Sequence, residues 1–366
     1  MGDPLRLGLV GAGKISGQYV NTLPRLTNVT LTKVADLDFA RAEAVAAQVA
    51  GAQAVAHEEL YTAGDVDLVL NLTIPQAHAE VAHAAIAAGK HVYGEKPLAT
   101  NTKEAATILM AAAEAGVAVG CAPDTVLGTG VQTARASLDV GQIGRPVAAT
   151  AFMVTPGHER WHPDPEFYYQ PGGGPLLDMG PYYLTALITL LGPVRRVVGM
   201  SSSPSSTRVI GSGPRAGTRF PVNVATHVTG VLEHVDGVLS TLMMSFEIWD
   251  AQLPRIEVYG TDGSLSVPDP NGFHGTVRMF KPDGVEWTSV PESGGYREAA
   301  RGYGVADMAR AIAAGHSHRA DGELAYHVLD IIESLLASAE TGAAVELGST
   351  CARPAPVAVG SRPEEA

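Results

Sequence analysis

The chain opens with a short apolar run, Leu5–Val10, that stops at Gly11-Ala12-Gly13. A helical pattern follows from Ile15, and then a β-branched run, Thr30–Ala35, that ends at Asp36. The alternation continues. Ala40–Val49 reads as an alanine-rich helix, Val66–Thr73 as a strand, Ala77–Ala88 as a helix and His91–Gly94 as a short strand. Lys103–Ala115 is helical and Val117–Cys121 extended. Strands and helices in this order predict βαβ units around a doubly wound parallel sheet, an α/β fold. Leu68-Val69-Leu70 is apolar without a break, as expected of a strand covered on both faces.

Beyond residue 123 the pattern changes. A helix over Gly130–Leu138 and a strand over Val147–Val154 lead into a loop, Thr155–Pro175, rich in Pro, Gly, His and aromatic residues. Leu177–Leu191 reads as a helix, and strands dominate from Arg195 to Val290. Val231–Phe246 and Arg255–Val267 read as neighbouring antiparallel strands joined near Asp250–Pro254, and Ser201–Gly217 reads as a surface loop. A long helix, Gly322–Ala339, comes late, and the Pro-rich acidic tail from Arg353 to Ala366 is expected to be poorly ordered at its end. Strands at this density predict an α+β domain with an antiparallel or mixed sheet. The expected division is residues 1–123, 124–352 and the tail 353–366.

The charge narrows the range of partners. The 366 residues carry a formal net charge of −13, which repels phosphate backbones and anionic membranes, so neither nucleic acid nor membrane is expected as a partner. The only cysteines, Cys121 and Cys351, make no disulfide framework, and the apolar runs are too short to span a bilayer. With no signal-peptide pattern at the start, the expected location is the cytoplasm.

The glycine loop carries the first chemistry. Gly11 allows a tight turn, Gly13 lets a pyrophosphate approach the backbone, and Lys14, Ile15 and Ser16 begin the helix whose N-terminus favours phosphate. The third fingerprint position is Ser16, small enough for helix to pack on strand. Asp36, at the end of the second strand, is placed to accept the adenosine ribose hydroxyls and to repel a 2′-phosphate. This is a Rossmann dinucleotide site with NAD expected. Arg41 nearby leaves NADP open.

A second motif brings a resemblance. Thr73-Ile74-Pro75-Gln76-Ala77-His78 is followed by Ala88-Gly89-Lys90-His91-Val92-Tyr93-Gly94-Glu95-Lys96-Pro97, and this pair of segments resembles the Gfo/Idh/MocA oxidoreductases. Fainter echoes run on through Gly172-Gly173-Gly174, Asp178-Met179-Gly180, Val258–Gly263 and Arg353-Pro354. The resemblance implies that Lys96 hydrogen-bonds the reacting oxygen, that Glu95 sets the nicotinamide end, and that Thr73, Ile74, Pro75 and His78 lie over the cofactor. The residues agree with this: Lys96 follows a strand at its carboxyl end, where open α/β sheets bind ligands, and partial desolvation there would lower its pKa.

The resemblance also implies a second motif, Asp-x-Gly-x-His. Here it reads Asp178-Met179-Gly180-Pro181-Tyr182, so Tyr stands where most relatives carry His. Asp178 and Tyr182 lie on one helix face, and the expected proton-handling set is Lys96, Asp178 and Tyr182. In the preceding loop, Trp161, His162 and Asp164 combine a flat apolar face with polar tips and are expected to bind substrate. No metal is expected, because Pro163 and Pro165 break any helix that would bring His158, His162 and Asp164 together. His318-Arg319 is a weaker candidate for a polar contact.

The expected protein is therefore an NAD(P)-dependent oxidoreductase acting on a secondary alcohol or ketone of a sugar, sugar derivative or cyclitol. The resemblance further implies a homodimer or homotetramer that buries a large open sheet face. Two rival readings remain: a glycosidase-like enzyme with tightly bound NAD that oxidises its substrate transiently, and a non-catalytic sensor of NAD(P) and sugar.

Overall fold

The computed structural model describes residues 3–365. By internal contacts the chain divides into two units. The first holds the chain up to Gly128, Gly295–Tyr326 and the residues from Pro354 onward; the second holds Thr129–Gly294 and His327–Arg353. This differs from the sequence-based division, because two late segments return to the first unit.

The first unit is built on six strands: β1 (Leu5–Val10), β2 (Val29–Ala35), β3 (Gln53–Ala54), β4 (Leu68–Asn71), β5 (His91–Gly94) and β6 (Val119–Cys121). They lie in the order β3-β2-β1-β4-β5-β6, all parallel. Leu7, Leu9, Leu68, Val69 and Leu70 are fully buried, so both faces of the sheet are covered. The register has a consequence for function. Val10 pairs with Ala35 and Asn71, Asn71 with Gly94, and Gly94 with Cys121. The strand ends therefore form one row, and Gly11, Asp36, Leu72 and Glu95 all leave it at the same carboxyl edge. Strand order reverses between β1 and β4, the switch point at which such sheets bind ligands.

The returning segments are held by buried carboxylates. Asp124 accepts the N–H groups of Gly302 and Gly304, each at 3.0 Å. Asp307 is buried in the second turn of a helix, Tyr303–Ala314, that the sequence pattern did not reveal. Its carboxylate takes Tyr296 Oη at 2.9 Å, Arg310 at 3.1 Å, the backbone N–H of Arg319 at 3.0 Å and the Arg319 guanidinium. Arg319 in turn donates to the carbonyls of Ala355 and Pro356, and Val357 is buried. The tail is thus pinned along Ala355–Val357 rather than loose there. His318 and Arg319 are structural, with His318 Nε2 3.1 Å from the Val119 carbonyl.

The second unit carries a nine-stranded sheet. Its elements in chain order are α6 (Thr129–Asp139), β7 (Pro146–Val154), α7 (Pro175–Leu191), β8 (Val194–Ser202), the short ribbon β9 (Thr207–Val209) and β10 (Arg219–Pro221), β11 (His227–His234), β12 (Leu239–Ser245), β13 (Ile256–Gly260), β14 (Gly263–Val267), β15 (Arg278–Phe280), β16 (Thr288–Ser289) and β17 (Val345–Glu346), with α1 to α5 of the first unit being Ser16–Thr22, Phe39–Ala46, His57–Thr62, His78–Ala87 and Thr102–Ala115. The order is β16-β15-β14-β13-β7-β12-β11-β8-β17. Only β7 and β12 run parallel; the other pairs are antiparallel.

Two expectations are corrected here. Val231–Phe246 and Arg255–Val267 are not neighbours: each belongs to its own hairpin, and β7 inserts between β12 and β13. The Ser201–Gly217 stretch is not all loop, because β8 runs to Ser202 and β9 pairs with β10. One sheet face is covered by α7 and the helix Gly322–Thr341; a Cβ on Gly199 would lie 2.5 Å from the Leu335 carbonyl oxygen. The other face presents an apolar stripe, with Val198, Met200, Val231 and Leu239 all exposed.

Candidate active site

The glycine loop lies where the register predicts. Gly11 has φ +98°, and a Cβ there would sit 2.7 Å from the Leu72 backbone, so only glycine lets β1 turn against the start of the next loop. A Cβ on Gly13 would meet nothing within 4 Å, which leaves open space above the loop. Gly11, Gly13, Lys14, Ile15, Asp36, Thr73, Ile74 and Pro75 line a single cleft of about 740 Å³, together with Leu37, Tyr61 and Val81. Backbone that a phosphate can approach, a helix start and largely apolar walls suit a dinucleotide.

Asp36 is fixed within this cleft. Its Oδ2 accepts the Ala12 N–H at 2.7 Å and its Oδ1 accepts the Asp38 N–H at 2.9 Å. The carboxylate is thereby aimed by backbone donors, with lone pairs left over for a diol. Arg41, the cation that left NADP open, also lines this cleft, where it pairs with Asp38 at 3.4 Å.

The loop after β4 is braced by residues the sequence reading had not linked. Buried Asn71 accepts the Thr73 hydroxyl at 2.6 Å and donates to the His78 carbonyl at 3.1 Å. His78 is buried; its Nδ1 lies 2.6 Å from the Pro97 carbonyl and its Nε2 3.1 Å from that of Thr73. Burial holds the His78 pKa below its ordinary value despite these carbonyls. His78 is therefore absent from the cleft wall. It ties the Thr73 loop to the Glu95-Lys96-Pro97 loop instead.

Glu95 is buried and accepts the Tyr19 hydroxyl at 2.8 Å and the Lys96 N–H at 3.2 Å. Burial beside this carboxylate drives the Tyr19 pKa well above its ordinary value, so the hydroxyl stays a donor. Lys96 itself is half-buried and follows β5 at the carboxyl edge, and its peptide bond to Pro97 is cis.

In the second unit, Asp178 stands in the first turn of α7, whose N-cap is Gly174. Its Oδ2 lies 3.0 Å from His158 Nε2. Tyr182, one turn further on, is buried. The imidazole of His158 packs against Phe246, Tyr168 and Trp161, with ring centroids 4.5, 4.6 and 5.3 Å away. Trp161 and Phe167 are exposed at the rim of this ring cluster, and His162 sits against both.

The loop is anchored by its interior. Glu159 is buried and paired with Arg208 at 3.1 Å and with the Tyr169 hydroxyl. Gly157 has φ +105°, and a Cβ there would strike the Glu159 carboxylate at 2.2 Å, so glycine is what lets Glu159 fold under the turn. Asp164 does not join the ring cluster by any hydrogen bond of its carboxylate; it is exposed and pairs with Arg215 at 3.2 Å. Missed in the sequence were Tyr19, Asn71 and the pairing of His158 with Asp178. The signal for the last was a histidine after a glycine and before an acidic residue that the loop buries.

Comparison with known proteins follows the same two halves. Residues 5–122 match the model of an oxidoreductase family with an NAD-binding Rossmann fold, and residues 131–266 match the GFO/IDH/MocA C-terminal domain. The chain is 31% identical over 267 residues to a 1,5-anhydro-D-fructose reductase of Ensifer adhaerens, covering 71% of this chain and 74% of that protein. It is 28% identical over 352 residues to a D-xylose 1-dehydrogenase (NADP(+)) of Haloferax volcanii, covering 94% and 100%. In fold it is similar to an NAD binding oxidoreductase from Klebsiella pneumoniae, with a TM-score of 0.80 at 23% identity over 94% of this chain and 99% of that one.

Proposed function

The chain belongs to the Gfo/Idh/MocA family of NAD-binding oxidoreductases, and from that premise we propose that its substrate is a secondary alcohol or ketone of a sugar, sugar derivative or cyclitol. The observation that carries the proposal is the shared carboxyl edge, which brings a dinucleotide cleft and the Glu95-Lys96 segment out of one sheet in register. Nicotinamide, when bound, exchanges the hydride, and orientation and proton handling fall to the protein. Lys96, Asp178 and Tyr182 serve the substrate oxygens, with Lys96 exchanging the hydroxyl proton. Trp161 and His162 offer ring faces for the apolar side of a sugar. Asp164 is left out of this role by its pairing with Arg215. The test is reduction of cofactor by the purified protein over a panel of sugars and cyclitols.

NAD is the preferred cofactor in this reading. A carboxylate fixed by two N–H donors accepts ribose hydroxyls and repels a 2′-phosphate, and Arg41 is engaged with Asp38. Asp36→Ser is expected to lower kcat/KM with NAD roughly 10- to 100-fold, the loss of a charge-assisted hydrogen bond, and to narrow the NAD/NADP ratio. An unchanged ratio would refute the role given to Asp36.

We place the enzyme in the cytoplasm as a homodimer or homotetramer. No helix among the described residues is long and apolar enough to cross a membrane, and neither cysteine is in a disulfide. The open sheet face presents Val198, Met200, Val231 and Leu239, an apolar stripe of the kind that marks an interface. Light scattering should give the mass of two or four chains, and Val231→Asp should lower it. A monomeric wild-type protein would contradict the assignment.

A further inference from the structure

We infer that His158 is the positioning residue for Asp178: its imidazole fixes the carboxylate in the orientation from which it accepts a substrate hydroxyl. The inference rests on the oxidoreductase reading above for the identity of the substrate group.

The geometry gives the imidazole one polar partner for its inner nitrogen. Nε2 lies 3.0 Å from Asp178 Oδ2, and a carboxylate only accepts, so Nε2–H is the donor. Nδ1 is buried and has no hydrogen-bond partner among the described residues. In a neutral ring it carries the lone pair. The turn around it is rigid by composition: Gly157 permits the fold, Glu159 is locked to Arg208 and Tyr169, and the Gly211 N–H holds the Glu159 carbonyl at 2.7 Å. Asp178 is thus held by a ring that is itself walled by Phe246, Tyr168 and Trp161.

Charged and titratable groups flank the ring. On α7 it faces Asp178. On its own loop stand Tyr168, with His162 beyond it, and Tyr169 with Glu159, which are turned toward Arg208. After β12 comes Phe246, whose neighbour Glu247 is committed to Arg208 and Thr226. Among the described residues, Asp178 is the acid whose carboxylate lies within hydrogen-bond distance of the imidazole.

The Nε2–H donor holds one carboxylate oxygen and leaves the other to face the substrate hydroxyl, so removing the ring should raise the KM for the alcohol by about tenfold, one charge-assisted hydrogen bond no longer aimed.

Two measurements test this. In ligand-free protein, the imidazole ¹⁵N and ¹³C spectrum should show the Nε2–H tautomer for His158, and Asp178→Asn should shift its Nε2 resonance. In steady-state kinetics, His158→Gln keeps an amide donor and should hold the KM within about threefold of wild type, with thermal stability near wild type, whereas His158→Ala should raise the KM about tenfold with a smaller effect on kcat. A His158 spectrum indifferent to Asp178→Asn, or a wild-type KM in His158→Ala, overturns the inference. If wild-type protein reduces cofactor with no sugar or cyclitol, the functional reading fails, and the spectra still decide the pairing.

Discussion

Replacing Lys96 with alanine should lower kcat/KM about a thousandfold, a loss of roughly 4 kcal/mol of transition-state stabilisation, and leave NAD binding within about threefold of wild type. The split follows from where the residue stands. The cofactor cleft is lined by the glycine loop, Asp36 and the Thr73-Ile74-Pro75 segment, and Lys96 is not part of its wall. Its backbone is braced from behind, by Glu95 on Tyr19 and by Pro97 on His78, so truncating the side chain removes an ammonium without unseating the loop. Cofactor binding is read by quenching of protein fluorescence and turnover by absorbance of the reduced cofactor. Equal losses in both would make Lys96 a binding residue. Unchanged turnover would remove it from the chemistry.

Asp307→Ala should be the most damaging substitution away from the site, costing about 3–5 kcal/mol, because it strands two arginines and a tyrosine hydroxyl around an empty anion position. For a unit of this size the melting temperature should fall by on the order of 10 °C. Burial alone would raise the Asp307 pKa, but Arg319 and its hydrogen-bond donors bring the net value below the ordinary 3.8. A depressed carboxylate stabilises the fold fully above that ordinary value, and the stability is lost as pH falls through the folded pKa. Wild-type protein should therefore lose stability at low pH more steeply than the alanine variant. A melting temperature within a degree or two of wild type would show that the cluster is dispensable.

What could be read from the sequence was what short stretches determine. Apolar runs located β1, β4 and β5; Leu5–Val10 and His91–Gly94 match β1 and β5 and Val66–Thr73 overruns β4 (Leu68–Asn71) at both ends, so the edge that gathers Gly11, Asp36 and Lys96 was legible. The brace behind that edge was not. Asn71, His78 and Pro97 meet only when β4 and β5 pair in register, and Tyr19 reaches Glu95 across the sheet. The sheet of the second unit misled for the same reason: hairpins are local, but the insertion of β7 between β12 and β13 is a pairing across distant sequence. The helix Tyr303–Ala314 was hidden by its start, where Gly302 is left-handed and offers no side-chain cap. His158 was visible as a loop histidine, but its partner Asp178 lies beyond a loop whose course depends on the buried Glu159–Arg208 pair.

The central claim is net, NAD-linked oxidation of a sugar or cyclitol hydroxyl, and the most direct measurement is a stoichiometric one. Purified protein is incubated with NAD and each member of the panel, and reduced cofactor is counted against ketone formed. Equal amounts of both, with NAD favoured over NADP, is the predicted result. Product formed with no net reduced cofactor would point instead to transient oxidation on a retained NAD. No reaction across the panel would contradict the assignment.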